Sequence, residues 1–257
     1  MILTVVIPVY NEEETLETLV RRVQRTEFDK EILLVNDGST DGTAEVLARL
    51  ETEPNIRVFH QERNMGKGAA LRRGFEEALG DVIIVQDADL EYNPNDYGVL
   101  LEPILQDKAD VVYGSRFSDI SRKVHSYWHT MGNRMLTTMS NWMSDIYMTD
   151  METCYKVFRR EVIQSISLDS NRFGFEPEVT AKLARIPGLR IYEVPVTYNY
   201  RTFAEGKKIG WKDAVSTVAR ILYYNTNHCE EKAYKIPVRE IQMKIAESRE
   251  RIAGGQG

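Results

Sequence analysis

Two rhythms of apolar and polar positions alternate along the chain. Near-continuous apolar, β-branched runs such as ILTVVIPV (2–9) suit strands buried on both faces of a parallel sheet. EILLVND (31–37), IRVFH (56–60), DVIIVQD (81–87) and ADVVYGS (109–115) follow the same pattern. Between them lie segments with apolar stripes at helical spacing: Leu16, Leu19, Val20 and Val23 in the first, then TAEVLARL (43–50) and GKGAALRRGFEEAL (66–79). Asn11, with Glu14 three residues on, reads as a capping box for the first helix. The alternation from Met1 to about Arg116 predicts βαβ units, a Rossmann-like and mostly parallel sheet with helices on both faces.

Beyond Arg116 the rhythm changes. Residues 125–148 read as helix, with Met131, Met135, Met139 and Met143 recurring every fourth position. TCYKVFRR (153–160) is strand-like, GFEPEVTAKLARI (174–186) helical, LRIYEVPVTYNY (189–200) a long strand and GWKDAVSTVARILYY (210–224) an amphipathic helix. From about His228 charges alternate and the chain ends GGQG, which predicts a solvent-exposed helix and a disordered tail. The expected organisation is one domain over 1–225, divided into halves 1–116 and 117–225, with a charged extension over 226–257.

Composition narrows the function classes. The 257 residues carry a net charge of −6, without the basic excess of a nucleic-acid binder. The two cysteines, Cys154 and Cys229, are isolated, which fits a reducing, cytoplasmic setting. The first apolar run stops at Asn11 and reads as a strand, not as a signal peptide. No apolar run approaches the ~20 residues of a bilayer span, so membrane contact is expected only as peripheral attachment at the inner face.

In parallel sheets ligands bind outside the carboxyl ends of the strands. Tyr10–Asn11–Glu12, Asn36–Asp37, Gln61 to Lys67 and Asp87–Asp89 all fall there. In VQDADLEY the acids Asp87, Asp89 and Glu91 alternate, and like charges so close need a cation, a shared proton or open water. Oxygen ligands of this kind suit Mg2+ or Mn2+; a polar loop with an Asp capping the next helix is the plainer alternative. RNMGKGAALRRGF (63–75) is neither a Walker A loop nor GxGxxG, which leaves Lys67 at a helix N-terminus as an anion site or a flexible helix start. The methionine row suits core or dimer packing better than a lipid groove, so a homodimer is one expectation.

VVIPVYNEEETL, ILLVNDGSTDGT, NMGKGAALRRGF, VQDADLEYNP and VVYGSRF stand in the order and spacing of family 2 glycosyltransferases with the GT-A fold. The sequence most resembles their dolichol-phosphate mannose synthase-like branch, which acts on polyprenyl phosphates. The likeness runs from about Met1 to Asn225 through TDMETCYKVFRREV and YEVPVTYNYRTFAEGKKIGW. It implies a nucleotide site at Pro8, Tyr10, Glu12, Asp37 and Lys67, Asp87 facing the ribose or the metal shell, metal contacts at Asp89 and Glu91, and a phosphate contact at Arg116. It also implies a basic segment at Arg201 and Lys207 or Lys208 that closes on the diphosphate, and an acidic catalytic position at Asp150. The family pattern Asp-x-x-Ser/Thr-Gly-Phe-Arg here reads Asp150-Met-Glu-Thr153-Cys154-Tyr155-Lys156, with Cys for Gly and Lys for Arg. A second departure is the lack of the transmembrane segment that several relatives carry.

The implied reaction is metal-dependent, inverting transfer of a hexose from a UDP- or GDP-sugar to a polyprenyl phosphate, with Asp89, Arg116 and Asp150 as the catalytic group. A soluble transferase acting on a hydroxyl acceptor in envelope or polysaccharide synthesis, and a non-catalytic nucleotide-sugar binder, are the alternatives. A nucleotidyltransferase should open on a Gly-rich phosphate loop, where this chain has PVYNEEE.

Overall fold

The apolar runs become strands, and those at the centre of the sheet are covered on both faces while the edge strands are half-buried. A computed structural model describes residues 1–117, 127–172, 174–200, 211–227 and 229–254. The strands are β1 (Leu3–Val9), β2 (Lys30–Asn36), β3 (Ile56–His60), β4 (Val82–Val85), β5 (Val111–Ser115), β6 (Lys156–Arg159) and β7 (Ile191–Pro195). They form one 7-stranded sheet in the order β3-β2-β1-β4-β6-β5-β7. The helices are α1 (Leu16–Gln24), α2 (Thr43–Leu50), α3 (Lys67–Glu77), α4 (Tyr97–Leu105), α5 (Tyr127–Ser144), α6 (Arg160–Ser165), α7 (Phe175–Leu183), α8 (Trp211–Thr226), α9 (Glu230–Ala233) and α10 (Val238–Gly254). The result is the expected α/β fold with amphipathic helices at the C-terminal end.

The parallel half follows the expected pattern. Leu16, Leu19, Val20 and Val23 of α1 are all buried. β1 and β2 run level, Val9 opposite Asn36, and Asp37 N donates to Val9 O at 2.8 Å. The two loops that follow therefore leave the sheet side by side.

β6 departs from the parallel scheme, lying antiparallel between β4 and β5. β5 ends at the carboxyl edge, and the chain comes back to that edge at Asp150, whose carboxylate bonds Arg116. A strand that starts where the previous one stopped must run the opposite way. The long strand expected over 189–200 is confined to Ile191–Pro195, with a single further bridge from Tyr198 to Tyr92.

Three further expectations are corrected. Asn11 does not cap α1, which begins at Leu16. Asn11 takes a left-handed backbone (φ 53°), which Asn tolerates. Its side-chain oxygen accepts Thr40 N at 2.8 Å, tying the first loop to the second. The C-terminal helix is not simply solvent-exposed: Ile241, Ile245, Ser248 and Ile252 of α10 are buried, and the helix packs on α6. Its apolar stripe is about one residue per turn, thin enough for the flanking charges to hide. Finally, the methionine row divides. Positions four apart drift by ~40° around a helix, so Met139 and Met143 pack on the core while Met131 and Met135 are exposed.

Candidate active site

The carboxyl edge of the sheet gathers most of the expected residues. Pro8 lies in β1 opposite Val35, and Tyr10 and Glu12 follow it, each half-buried. Glu12 Oε2 accepts Thr15 Oγ1 at 2.7 Å, and Glu12 N donates to Thr43 Oγ1 at 3.0 Å. Asp37 is buried at the end of β2, and its two oxygens accept Met65 N and Gly66 N, both at 2.7 Å. Burial pushes its carboxyl above the ordinary value despite these bonds. Asp37 thereby shapes the loop that carries Lys67.

That loop packs closely against segment 170–172. Gly66 has φ +101°, and a Cβ there or on Gly68 would collide with the carbonyl oxygens of Asn171 and Ser170 respectively. Ala69 N donates to Asn171 O at 3.1 Å, so segment 170–172 covers part of the α3 N-terminus. The glycines serve this close approach. Lys67 itself reaches the site, with Nζ 2.9 Å from Asp87 Oδ1 and 3.5 Å from Glu176 Oε1. Burial opposes its charge, but Asp87 and Glu176 hold its pKa well above the usual lysine value.

The three alternating acids each have a separate engagement. Asp87 pairs with Lys67. Asp89 Oδ1 accepts Glu91 N at 3.0 Å across a turn in which Leu90 has φ 63°. Glu91 Oε2 accepts Tyr198 OH at 2.6 Å. Among the described residues no three His, Cys, Asp or Glu side chains converge as a metal cluster. Glu91 is expected beside them as a metal contact, and here its carboxylate is also held by Tyr198. Asp87, Asp89 and Glu91 are each half-buried oxygen donors. This fits Mg2+ or Mn2+, which take one or two carboxylates and complete their shell with water and substrate phosphate.

The second focus is Arg116 with Asp150. Asp150 is fully buried; its Oδ2 accepts Arg116 Nε at 2.7 Å and its Oδ1 accepts Arg116 Nη2 at 2.7 Å. Arg116 N and Asn133 Nδ2 add bonds of 3.0 Å each. Burial works against the guanidinium charge, but Asp150 keeps its pKa well above the usual value. Residues outside the sequence expectation hold this pair. Glu193 of β7 accepts Thr149 N at 2.9 Å and Asp150 N at 3.0 Å, and Thr137 Oγ1 accepts Met151 N at 3.2 Å. Tyr198 lies with its ring 5.2 Å from the Arg116 guanidinium while its hydroxyl serves Glu91, so it joins the two foci. Lys156, the departure from Arg, is fully buried and donates to Met151 O and Thr153 O beneath the turn. Arg201, Lys207 and Lys208 lie outside the described residues.

A model of the family described as "Glycosyl transferase family 2" matches residues 4–167. An undecaprenyl-phosphate mannosyltransferase of Micrococcus luteus is 32% identical over 80% of this chain and 86% of its own length. The chain belongs to glycosyl transferase family 2. A polyprenol monophosphomannose synthase of Mycolicibacterium smegmatis is 31% identical to this transferase over 80% of the chain and 80% of its own length. An undecaprenyl-phosphate 4-deoxy-4-formamido-L-arabinose transferase of Sodalis glossinidius is 31% identical over 79% of the chain, but the match spans only 62% of that relative. Among solved structures, glucosyl-3-phosphoglycerate synthase from Mycobacterium tuberculosis with Mn2+, UDP and phosphoglyceric acid superposes with TM-score 0.67 at 19% identity, covering 87% of this chain and 78% of that one. The same synthase with Mg2+ and UDP gives 0.65 at 20% identity over 86% and 78%. At these identities the likeness establishes the GT-A fold.

Proposed function

We propose that this glycosyltransferase moves a hexose, with inversion, from a nucleoside-diphosphate sugar to a polyprenyl phosphate. Residues 1–116 would hold the donor and 117–225 the acceptor. Relatives named for polyprenyl-phosphate acceptors support this reading. The observation that carries it is the state of Asp150: both oxygens are taken by Arg116 and Asn133. A hydroxyl acceptor would need a base, and this carboxylate is committed elsewhere. A phosphate monoester, with a second pKa of about 6, is already largely ionised at neutral pH and needs none.

In this mechanism Pro8, Tyr10, Glu12 and Asp37 frame the nucleoside, and Lys67 faces the diphosphate. Asp87 and Asp89 would hold Mg2+ or Mn2+, which supplies electrostatic stabilisation of the departing diphosphate. An acceptor phosphate oxygen attacks the anomeric carbon as the bond from that carbon to the diphosphate oxygen breaks. Charge passes from acceptor to leaving group, and the oriented Arg116 cation meets it in a site that excludes much of the water. Asp150 keeps the guanidinium fixed, and Arg201 with Lys207 or Lys208 would close over the donor.

The reading includes contact with the membrane surface. Tyr127, Trp128, Met131, Met135 and Trp142 of α5 are exposed, with Trp128 at 79% and Trp142 at 83%. Met131, Arg134, Met135, Thr138, Met139 and Trp142 line an apolar groove of about 490 Å3. α5 carries no acidic residue, although the chain has net charge −6. Exposed aromatics beside an arginine suit an anionic lipid surface. Among the described residues no helix is long and apolar enough to cross a bilayer. The test is transfer from a panel of UDP- and GDP-sugars, with and without Mn2+, to polyprenyl phosphate in vesicles. Lipid-linked product from one donor, lost with chelator, is the expected result. Transfer to soluble hydroxyl acceptors alone would replace this reading with the alternative.

A further inference from the structure

Glu152 has no assigned task, yet it lies in the turn that links the two foci. Its neighbours are engaged: Asp150 by Arg116, Met151 O and Thr153 O by Lys156, and Cys154 N by Tyr92 OH at 3.0 Å. Glu152 differs, because its Oε1 is fully covered and has no hydrogen-bond partner among the described residues. A buried carboxyl oxygen left in that condition is unfavourable and calls for a partner. The charged groups facing it are Glu176 of α7, Lys156 of β6, Arg116 after β5 and Asp150 in its own turn. Glu176 in turn contacts Lys67, the partner of Asp87. Glu152 thus faces charged groups of both foci, Glu176 on the Lys67 side and the Arg116–Asp150 pair on the other, and the donor reading above puts the transferred sugar between those foci.

We propose that the Glu152 carboxyl binds a hydroxyl of the donor sugar and selects among sugar epimers. The inference rests on the nucleoside-diphosphate-sugar reading above. Burial, reinforced by Glu176 and opposed by Lys156 and Arg116, pushes the Glu152 carboxyl up to about 8. At neutral pH it is mostly a neutral acid, able to donate through O–H and accept through C=O. Such a group matches a sugar hydroxyl, which both donates and accepts, without a buried charge. An epimer whose hydroxyl points elsewhere leaves the carboxyl unpaired and is rejected for that reason.

The experiment is calorimetric titration of the nucleoside diphosphate and of its sugar epimers, with Mn2+, on wild type, Glu152→Gln and Glu152→Leu, together with kcat/KM for each epimer. The expected result is unchanged diphosphate affinity in all three proteins. Affinity for the preferred sugar nucleotide and the epimer ratio should both fall about tenfold or more in Glu152→Leu. Glu152→Gln, which keeps a donor and an acceptor, should retain most of both. In wild type the sugar-dependent gain should also fade as pH rises through about 8, while Glu152→Gln stays flat. An unchanged epimer ratio in Glu152→Leu overturns the inference and leaves the donor reading standing. Wild type that binds the diphosphate but gains nothing from any sugar overturns it too. A wild type that binds no nucleoside diphosphate at all overturns the donor reading itself.

Discussion

β5 has a buried aspartate near each end, and the two pair with arginine in different settings. At its amino end Asp110 is fully buried beneath Arg159, Arg190 and Arg249. At its carboxyl end, roughly 17 Å of strand away, Asp150 is equally buried but holds Arg116. The first cluster fastens elements of the fold to one another: Arg159 comes from β6, Arg190 precedes β7 and Arg249 lies on α10. The second holds one cation at the carboxyl edge of the sheet, where Lys67, Asp87 and Asp89 also lie. On the proposed function, the same chemical pair is a fastener at one edge of the sheet and a tool at the other. The edge decides, because strand carboxyl ends open on the ligand crevice and amino ends do not.

Substitution should separate the two. Asp150→Asn keeps the shape but frees Arg116, and transfer should fall about 100-fold or more, comparable with loss of one preorganised charge stabiliser. Steady-state assay of folded protein reads this directly, and full turnover would remove Asp150 from the catalytic group. Asp110→Ala should instead cost about 3–5 kcal/mol of stability, because it strands the buried Arg159 charge, while the folded fraction keeps wild-type kcat. Urea denaturation beside the same assay tests it; a loss of activity without loss of stability would erase the distinction drawn above. A smaller effect is expected from acid. Burial works against the Asp110 carboxylate, but Arg249 and Arg190 hold it down at about 2. Its contribution, about 2 kcal/mol, is present above the unfolded value near 4 and is lost as pH falls toward 2. Asp110→Asn should flatten the stability profile in that window.

What the sequence made legible follows from how local each signal is. Strand runs, the α1 stripe and the acids at the carboxyl edge are local, and they were readable. Strand direction was not, since a buried run such as KVFR carries no mark of parallel or antiparallel pairing. Lys67, Arg116 and Asp150 came through ordered motifs, but their partners did not: Tyr198 meets Glu91 across 107 positions and Glu193 meets Thr149 across 44. A usable signal existed for Glu193, a lone acid inside the apolar run IYEVPV, where a charge needs a buried partner. Asp37 was placed correctly at the end of β2, but its bonds to the Lys67 loop depend on a fold that brings residue 37 beside 65 and 66. The thin α10 stripe was outweighed by charges whose partners, Asp81, Asp110 and Glu161, lie far back in the chain.

α10 offers the finest division of fastener from ornament. Arg249 is 28% exposed and gives two hydrogen bonds, 2.9 and 2.6 Å, to the fully buried Asp110. Arg251, two positions on and so on nearly the opposite face of the helix, is 45% exposed and pairs with Asp81 and Glu161 nearer the surface. Charge-assisted bonds to a buried carboxylate survive screening, so Arg249→Ala should cost about 1.5–3 kcal/mol. Arg251→Ala should cost less than about 1 kcal/mol. The Arg251 effect should shrink further in 1 M salt, where the screening length is about 3 Å, and the Arg249 effect should persist. Urea midpoints at low and high salt measure both. Equal, salt-sensitive losses would mean that Asp110 is wetter than its burial implies and that the amino-edge cluster fastens α10 no better than a surface pair.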